Sequence, residues 1–318
     1  MNPPRWDRRG FFSHVATGFI AWLVGCLLAC LMVSWWPSTA AAATSIVLRD
    51  DAGAEHRLAA PPQRIITLLP SLTEAVSALG GTARLVGVDR YSNWPESIQH
   101  LPRLGGLEDA QVERIVALKP DVVLAAKSAR VTERLQALGL RVVLLESQTH
   151  ADVRRTLGLV AQLLGTPAAG ERAWAEIEAQ FARAASRVPP AARGRKVYFE
   201  VATDPYAAGA SSFIGETLVR LGLGNVVPAE MGPFPRLNPE FVVRAQPDIV
   251  MTSKTSLDTM AERPGWAAMT AFQSTPPRAC GFATARYELL IRPGPRMGEA
   301  ALALADCVAG LSWPGGSP

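Results

Sequence analysis

Short runs of consecutive apolar residues alternate along most of this chain with longer stretches in which apolar residues recur every three or four positions. The short runs, over residues 64–69, 85–89, 141–146 and 196–201 and near 280–282, predict strands. The run over 64–69 is continuous in apolar character rather than apolar at every second position, as in strands covered on both faces. The longer stretches predict helices over residues 129–139, 152–164, 167–188 and 296–309, and another ending near Gly222. A further helix is predicted from Ser71, whose spacing to Glu74 is that of a capping box, to Gly80. Residues 44–57 read as a hairpin turning at Asp51-Ala-Gly53, residues 228–239 and 285–295 as loops. Strands alternating with helices imply an α/β protein with parallel sheets.

The helix over residues 167–188 organises the rest. Trp174, Ile177, Phe181, Ala184 and Val188 form one apolar stripe along it, and Pro189-Pro190 ends it. One motif stands on each side of it. Glu113-Arg-Ile-Val-Ala-Leu-Lys-Pro-Asp-Val-Val-Leu-Ala125 aligns without gaps with Glu240-Phe-Val-Val-Arg-Ala-Gln-Pro-Asp-Ile-Val-Met-Thr252. Each reads as a short helix, a Pro-Asp turn and a buried strand. A second pair, Glu74-Ala-Val-Ser-Ala-Leu-Gly80 and Glu216-Thr-Leu-Val-Arg-Leu-Gly222, agrees in order. A single Pro-Asp before a strand is ordinary α/β punctuation; two separate pairs in register are a repeat. The expected organisation is an N-terminal α/β lobe over 44–165, a connecting helix over 166–189, a second α/β lobe over 190–311 and a frayed tail over 312–318, with a cleft between the lobes.

Composition adds a compartment. Residues 1–43 have the form of a secretion signal: Arg5, Arg8 and Arg9, an apolar run from Val15 to Trp36, then small residues up to Ala43. Cleavage near Ala43, a lipoprotein box at Leu27-Leu-Ala-Cys30, and retention as an anchor are all open, and Arg8-Arg9 resembles a twin-arginine signal. Each puts the folded part outside the cytoplasmic membrane. Of the formal charge of +4, the leader holds +2, and no basic run points to nucleic acid. Cleavage leaves Cys280 and Cys307, which either pair or stay as two buried thiols.

Enzyme templates fail. There is no phosphate-cradling loop, dinucleotide fingerprint or nucleophile elbow. His56, His100 and His150 lack ligand spacing and read as surface residues, so no metal site is expected. What remains is cleft lining. Ligands of open parallel sheets sit beyond the strands' carboxyl ends. The loops predicted there carry Tyr91, Trp94, Tyr206, Phe234 and Tyr287, although aromatics are only 7% of the chain. Arg236, Arg286 and Arg292 stand beside them. Aromatic faces with a few polar groups suit a large, flat, partly apolar ligand. Helix N-termini at Ser71 and near Ser212 are expected to face it as well.

From about Arg64 to Leu311 the chain resembles the class III periplasmic substrate-binding proteins of ABC importers, which serve cobalamin, haem and ferric siderophores. The resemblance rests on Arg64-Ile-Ile-Thr-Leu-Leu-Pro-Ser-Leu-Thr-Glu74, Leu85-Val-Gly-Val-Asp89, the Glu113 motif and Asn238-Pro-Glu-Phe-Val-Val243. Gly232-Pro-Phe-Pro-Arg236, Arg263-Pro-Gly-Trp266 and Arg292-Pro-Gly-Pro-Arg296 are most similar to the cobalamin-binding branch. The resemblance implies two Rossmann-like lobes joined by a single long α-helix, no enzymatic activity, and a periplasmic monomer that hands its ligand to an ABC permease dimer. The cleft reading takes Tyr91, Trp94, Tyr206, Phe234, Arg236, Tyr287 and Arg292 as ligand-binding residues; the resemblance matches Tyr91 and Phe234 to pocket aromatics, places Tyr206 in a loop that carries a pocket Phe, and implies that Glu113 and Glu240 are the docking residues, one per permease subunit. The implied ligand is cobalamin or another corrinoid. A ferric siderophore is the alternative, and haem a weaker one, because Leu107 stands near where haem binders place a Tyr ligand. Leu107 and Ala126 also replace tryptophans of the enteric cobalamin binders. Outside this class stand an envelope ligand sensor and a cleft enzyme on a similar scaffold.

Overall fold

A computed structural model of the chain describes residues 45–313 apart from residue 204. The leader read at residues 1–43 and the end of the tail lie outside the described residues. Among those described, no helix is long and apolar enough to cross a membrane.

The first lobe opens on the antiparallel hairpin of β1 (Ile46–Arg49) and β2 (Glu55–Leu58). Its sheet is parallel throughout, with β3 (Ile65–Thr67), β4 (Leu85–Val88), β5 (Val122–Ala125) and β6 (Val142–Leu144) in the order β4-β3-β5-β6. The crossover helices are α1 (Pro70–Ala78), α2 (Val112–Ala117) and α3 (Thr132–Ala137), and α4 (His150–Leu163) leads into the connecting helix α5 (Pro167–Arg187). The second lobe runs β7 (Lys196–Ala202), β8 (Tyr206–Ala207), α6 (Phe213–Arg220), β9 (Gly224–Asn225), α7 (Pro239–Ala245), β10 (Ile249–Ser253), α8 (Lys254–Met260), α9 (Thr270–Gln273), β11 (Ala279–Phe282), α10 (Thr284–Leu290) and α11 (Met297–Ala309). Its strands order as β11-β10-β7-β8, with β9 also on β7, and only β8 is antiparallel.

The repeat is built into the backbone. Lys119 and Gln246, at equivalent positions, take φ of 46° and 45°, the left-handed region, and are the only described non-glycine residues to do so. The strain is matched by the aspartate two residues on. Asp121 Oδ2 accepts from the backbone N–H of Gln63 (2.7 Å) and Arg64 (2.8 Å); Asp248 Oδ2 accepts from that of Lys196 (2.9 Å). Each Pro-Asp turn thereby ties the start of its own strand to the start of the neighbouring one. The other repeated pair ends α1 and α6 alike. Gly80 and Gly222 have φ of 86° and 77°, and the following residues, Gly81 and Leu223, donate back to Val76 and Leu218.

Both sheets turn one face toward α5. Ile65, Val122 and Leu124 from the first and Val197, Phe199, Ile249 and Met251 from the second share one apolar core with Ile177, Phe181, Ala184 and Val188 of the stripe. The outer faces hold separate cores under α2 and α3 in lobe one and α7 and α8 in lobe two. A continuous core, with each large fully buried side chain worth about 1.5–3 kcal/mol, joins the lobes more stiffly than a linker does. The disulfide between Cys280 of β11 and Cys307 of α11 closes a 27-residue separation, worth about 3.5 kcal/mol in a chain-entropy estimate.

Several local expectations are corrected. The Ser71/Glu74 capping box does not form. Helix α1 starts on Pro70, whose fixed φ suits the first helical position, with no side-chain cap. The Glu74 carboxylate is instead buried against the other lobe. A capping box does form at Thr149 and Asp152, where α4 begins. Helix α10 occupies much of the loop expected over 285–295, and α8 and α9 were not foreseen. Trp313, expected to fray, donates Nε1 to Val308 O (3.0 Å) and lies under the guanidinium groups of Arg195 and Arg278.

His150 is not a surface residue: it is 8% exposed and sits at the joint of the lobes. Its backbone N–H donates to Glu216 Oε2 (2.6 Å), and its Nε2 lies 2.9 Å from Phe213 O and 3.0 Å from Thr217 Oγ1. A carbonyl only accepts, so Nε2 carries the proton of a neutral ring. The ring packs on Phe181 of α5, whose phenyl also lies under Arg220, itself paired with Glu178. Burial holds the His150 pKa below its usual value, against the pull of Glu216. The unfolded chain therefore takes up a proton first, and stability falls as pH drops below about 6.5, the unfolded value. The melting temperature is expected to fall between pH 7.5 and 5.5, and His150→Gln, which keeps an amide donor, to flatten that fall. An unchanged slope in calorimetric melts would remove His150 as its source.

Candidate functional site

The carboxyl ends of β3 and β4 and the segment after α10 face one another across the cleft. Two adjacent cavities open there. One, of about 320 Å³, is lined by Leu69, Pro70, Ser71 and Tyr91 from lobe one and Glu288, Ile291, Arg292 and Pro293 from lobe two. The other, of about 280 Å³, belongs to lobe one and is lined by Leu68, Leu69, Pro70, Asp89, Tyr91 and residues 106–109. Tyr91 borders both.

Tyr91 combines a fixed backbone with an exposed ring, over which the Arg90 guanidinium lies 5.6 Å from the ring centre. Its N–H donates to Asp89 Oδ1 (2.8 Å), its carbonyl accepts from Arg292 Nη2 (3.1 Å), and the residue is 61% exposed. Asp89 is buried and belongs to a hydroxyl chain. Ser92 donates to its Oδ2, so Ser92 accepts from Thr73 (2.6 Å), and Thr73 from Thr67 (2.6 Å). The chain ties the Tyr91 loop to α1 and to the end of β3. Burial raises the Asp89 pKa despite these donors. On the far side, Gly106 leaves room for the ring, since a Cβ there would stand 3.2 Å from Tyr91 Cε2.

Arg292 is almost enclosed. Nη1 donates to Glu74 Oε1 (3.0 Å) and Asn93 Oδ1 (2.7 Å), and Nη2 to Tyr91 O and Glu288 Oε2 (2.9 Å). Desolvation raises the Glu74 pKa in spite of the arginine, and Glu74 Oε2 finds no partner among the described residues. This contact mirrors His150 and Glu216: each repeated glutamate is received by the opposite lobe.

The other residues singled out in the sequence disperse around the cleft. Trp94 is half-buried under the guanidinium of Arg296, 4.9 Å from its ring centre. Tyr287 donates its hydroxyl to Glu200 O (2.8 Å) and stacks on Phe199, and burial raises its phenol pKa. Phe234 packs on Phe213. Tyr206 and Arg236, at an antiparallel bridge on the rim of lobe two, are more exposed and line neither cavity. The N-terminus near Ser212 turns to the other lobe, with Phe213 N–H donating to Gln148 O (2.6 Å). Glu288 and Ile291 were not anticipated; the spacing of Glu288 to Arg292 was the available signal, readable only once the stretch is taken as a helix. Glu113 and Glu240 lie on α2 and α7, on the outer layers of their lobes, and Glu113 pairs with Arg134 (2.9 Å) at the surface. No described cluster of His, Cys, Asp and Glu is arranged to hold a metal.

A family model described as periplasmic binding protein matches residues 65–276. A vitamin B12-binding protein of Pectobacterium carotovorum subsp. carotovorum (strain PC1) is 28% identical over 261 residues, covering 80% of this chain and 91% of that protein. An uncharacterized ABC transporter substrate-binding lipoprotein of Bacillus subtilis (strain 168), YvrC, is 23% identical over 274 residues, covering 83% and 85%. Among solved structures, the apo periplasmic heme-binding protein RhuT of Roseiflexus sp. RS-1 superposes with a TM-score of 0.67 at 27% identity, over 78% of this chain and 98% of that one.

Proposed function

We propose that this chain, which belongs to the periplasmic binding protein family, captures a corrinoid in the cleft between its lobes and delivers it to an ABC permease. The carrying observation is Tyr91, an aromatic ring held out on an anchored backbone between two mostly apolar cavities. Such a ring offers a preset face to a large flat ligand at little entropic cost. The B12-binding relative from Pectobacterium supports the corrinoid, and the B. subtilis relative, named for an ABC transporter, supports the permease. The leader sequence and the Cys280–Cys307 disulfide fit a periplasmic protein. In this reading the protein is a monomer, performs no reaction, and grips the permease through Glu113 and Glu240, one glutamate from each lobe.

The cavities enclose only part of a corrinoid, so rim residues Tyr206, Phe234 and Arg236 complete the contact. Calorimetric titration of residues 44–318 with cyanocobalamin is expected to give one site of micromolar or tighter affinity, roughly −8 kcal/mol or better. Tyr91→Ala should weaken it about tenfold, the loss of one aromatic contact. The haem-binding neighbour favours a second reading, an iron chelate in the same cleft. Silence with cyanocobalamin beside binding of haemin or a ferric siderophore would select it.

A further inference from the structure

Arg292 has the attributes of a ligand arginine: it is a cation lining the interlobe cavity. Its hydrogen bonds point elsewhere. A guanidinium has four Nη hydrogens, and here four acceptors meet them, on Glu74, Asn93, Tyr91 and Glu288. Its charge is likewise taken up, between the carboxylates of Glu74 and Glu288 at 3.0 and 2.9 Å. Asn93 Nδ2 closes the ring by donating to Glu288 Oε2 (2.6 Å). Two side chains of lobe two thus hold the 91–93 segment of lobe one by its backbone and by Asn93. Among the described residues, Arg292 is the sole arginine lining either cavity, against the carboxylates of Glu288, Asp89, Glu108 and Asp109. Asp109 and Glu108 are answered from outside the cavities, by Arg90 and Arg130.

We infer that Arg292 is a cross-lobe clamp that positions Tyr91 for capture, not a receptor for ligand anions, and that the cleft therefore selects uncharged, amide-bearing ligands over carboxylates. The inference rests on the cleft being the ligand site, as proposed above. Arg292 is a positioning residue: it acts through the Tyr91 carbonyl.

The clamp is testable without ligand. In the apo protein, Arg292→Ala should speed amide hydrogen exchange at residues 90–94 at least tenfold and leave β3 and β5 unchanged. Unchanged exchange at 90–94 would overturn the clamp, whatever the ligand is. Selectivity is tested with a matched pair, cyanocobalamin and its monocarboxylic acids, in which one side-chain amide becomes a carboxylate. The wild type should bind the amide at least fivefold more tightly. Arg292→Ala and Arg292→Lys should weaken both probes alike, about tenfold, because lysine keeps the charge but cannot span four acceptors. In a Tyr91→Ala background, Arg292→Ala should cost little more, since both act through one ring. Equal or tighter binding of the acids by the wild type, or a selective loss of acid binding in Arg292→Ala that Arg292→Lys restores, would make Arg292 an anion receptor and sink the inference. If neither corrinoid binds, the functional reading fails, and the exchange experiment still decides the clamp.

Discussion

Arg263→Ala is expected to destabilise the protein by about 3–5 kcal/mol, the usual cost of stranding one partner of a buried ion pair. Glu200 is fully buried on β7, and Arg263 holds it through two bonds of 2.6 and 2.9 Å while itself only 23% exposed at the side chain. Tyr198 adds a third donor at 2.9 Å. Without Arg263 the carboxylate keeps one phenol and no countercharge. The arginine also covers the ring of Trp266, 4.6 Å away, so packing is lost with the charge. At roughly 2–4 °C per kcal/mol for a chain of this size, the melting temperature should fall on the order of 10 °C. A double substitution separates the causes. If the stranded charge dominates, Glu200→Gln with Arg263→Ala should melt well above Arg263→Ala alone; if packing on Trp266 dominates, the two will melt together. Binding should suffer too, because Tyr287 hangs from the carbonyl of Glu200.

What the sequence discloses about this molecule is what repeats or what is local. The paired motifs are visible because identical turn chemistry, Pro120-Asp121 and Pro247-Asp248, solves the same strand-start problem in each lobe. The stripe on α5 is visible because 3.6-residue periodicity is a property of one helix. What stays hidden depends on contacts far along the chain. Glu74 has the spacing of a capping residue, yet its carboxylate answers an arginine 218 positions away. His150 looks like a solitary polar residue, and its partners lie 63–67 positions on. Prolines after Ile291 give the segment over 285–295 the composition of a loop, while Leu290 buries one side of a helix there. The aromatic inventory of the cleft could be read from the loops, but not the division of labour. Tyr91 stays mostly exposed with Arg90 over its ring, Tyr287 spends its hydroxyl on the scaffold, and half-buried Trp94 lies under Arg296.

The repeat also dictates the largest functional effect. Glu113→Gln with Glu240→Gln is expected to abolish ligand uptake while leaving ligand binding and melting temperature unchanged. Both residues stand at the second position of short helices on the outer layers, far from the shared core and from the lining of either cavity. In the proposed docking, a permease of two subunits would present the same basic contact twice, and a chain with one glutamate per lobe would meet both. Truncating one partner of a desolvated charge pair costs about 2 kcal/mol or more, roughly thirtyfold in affinity, so two losses together exceed a hundredfold. Glu113 would enter the proposed contact already paired with Arg134, but both side chains are largely exposed and such pairs are easily exchanged. Arg134→Ala should therefore leave docking intact or tighten it slightly. Each single glutamine variant should dock at an intermediate level, more weakly as salt rises. Wild-type uptake by the double variant would remove the docking role. Lost uptake with lost ligand binding would relocate the defect to the cleft, and only lost uptake with intact binding assigns these two glutamates to the permease.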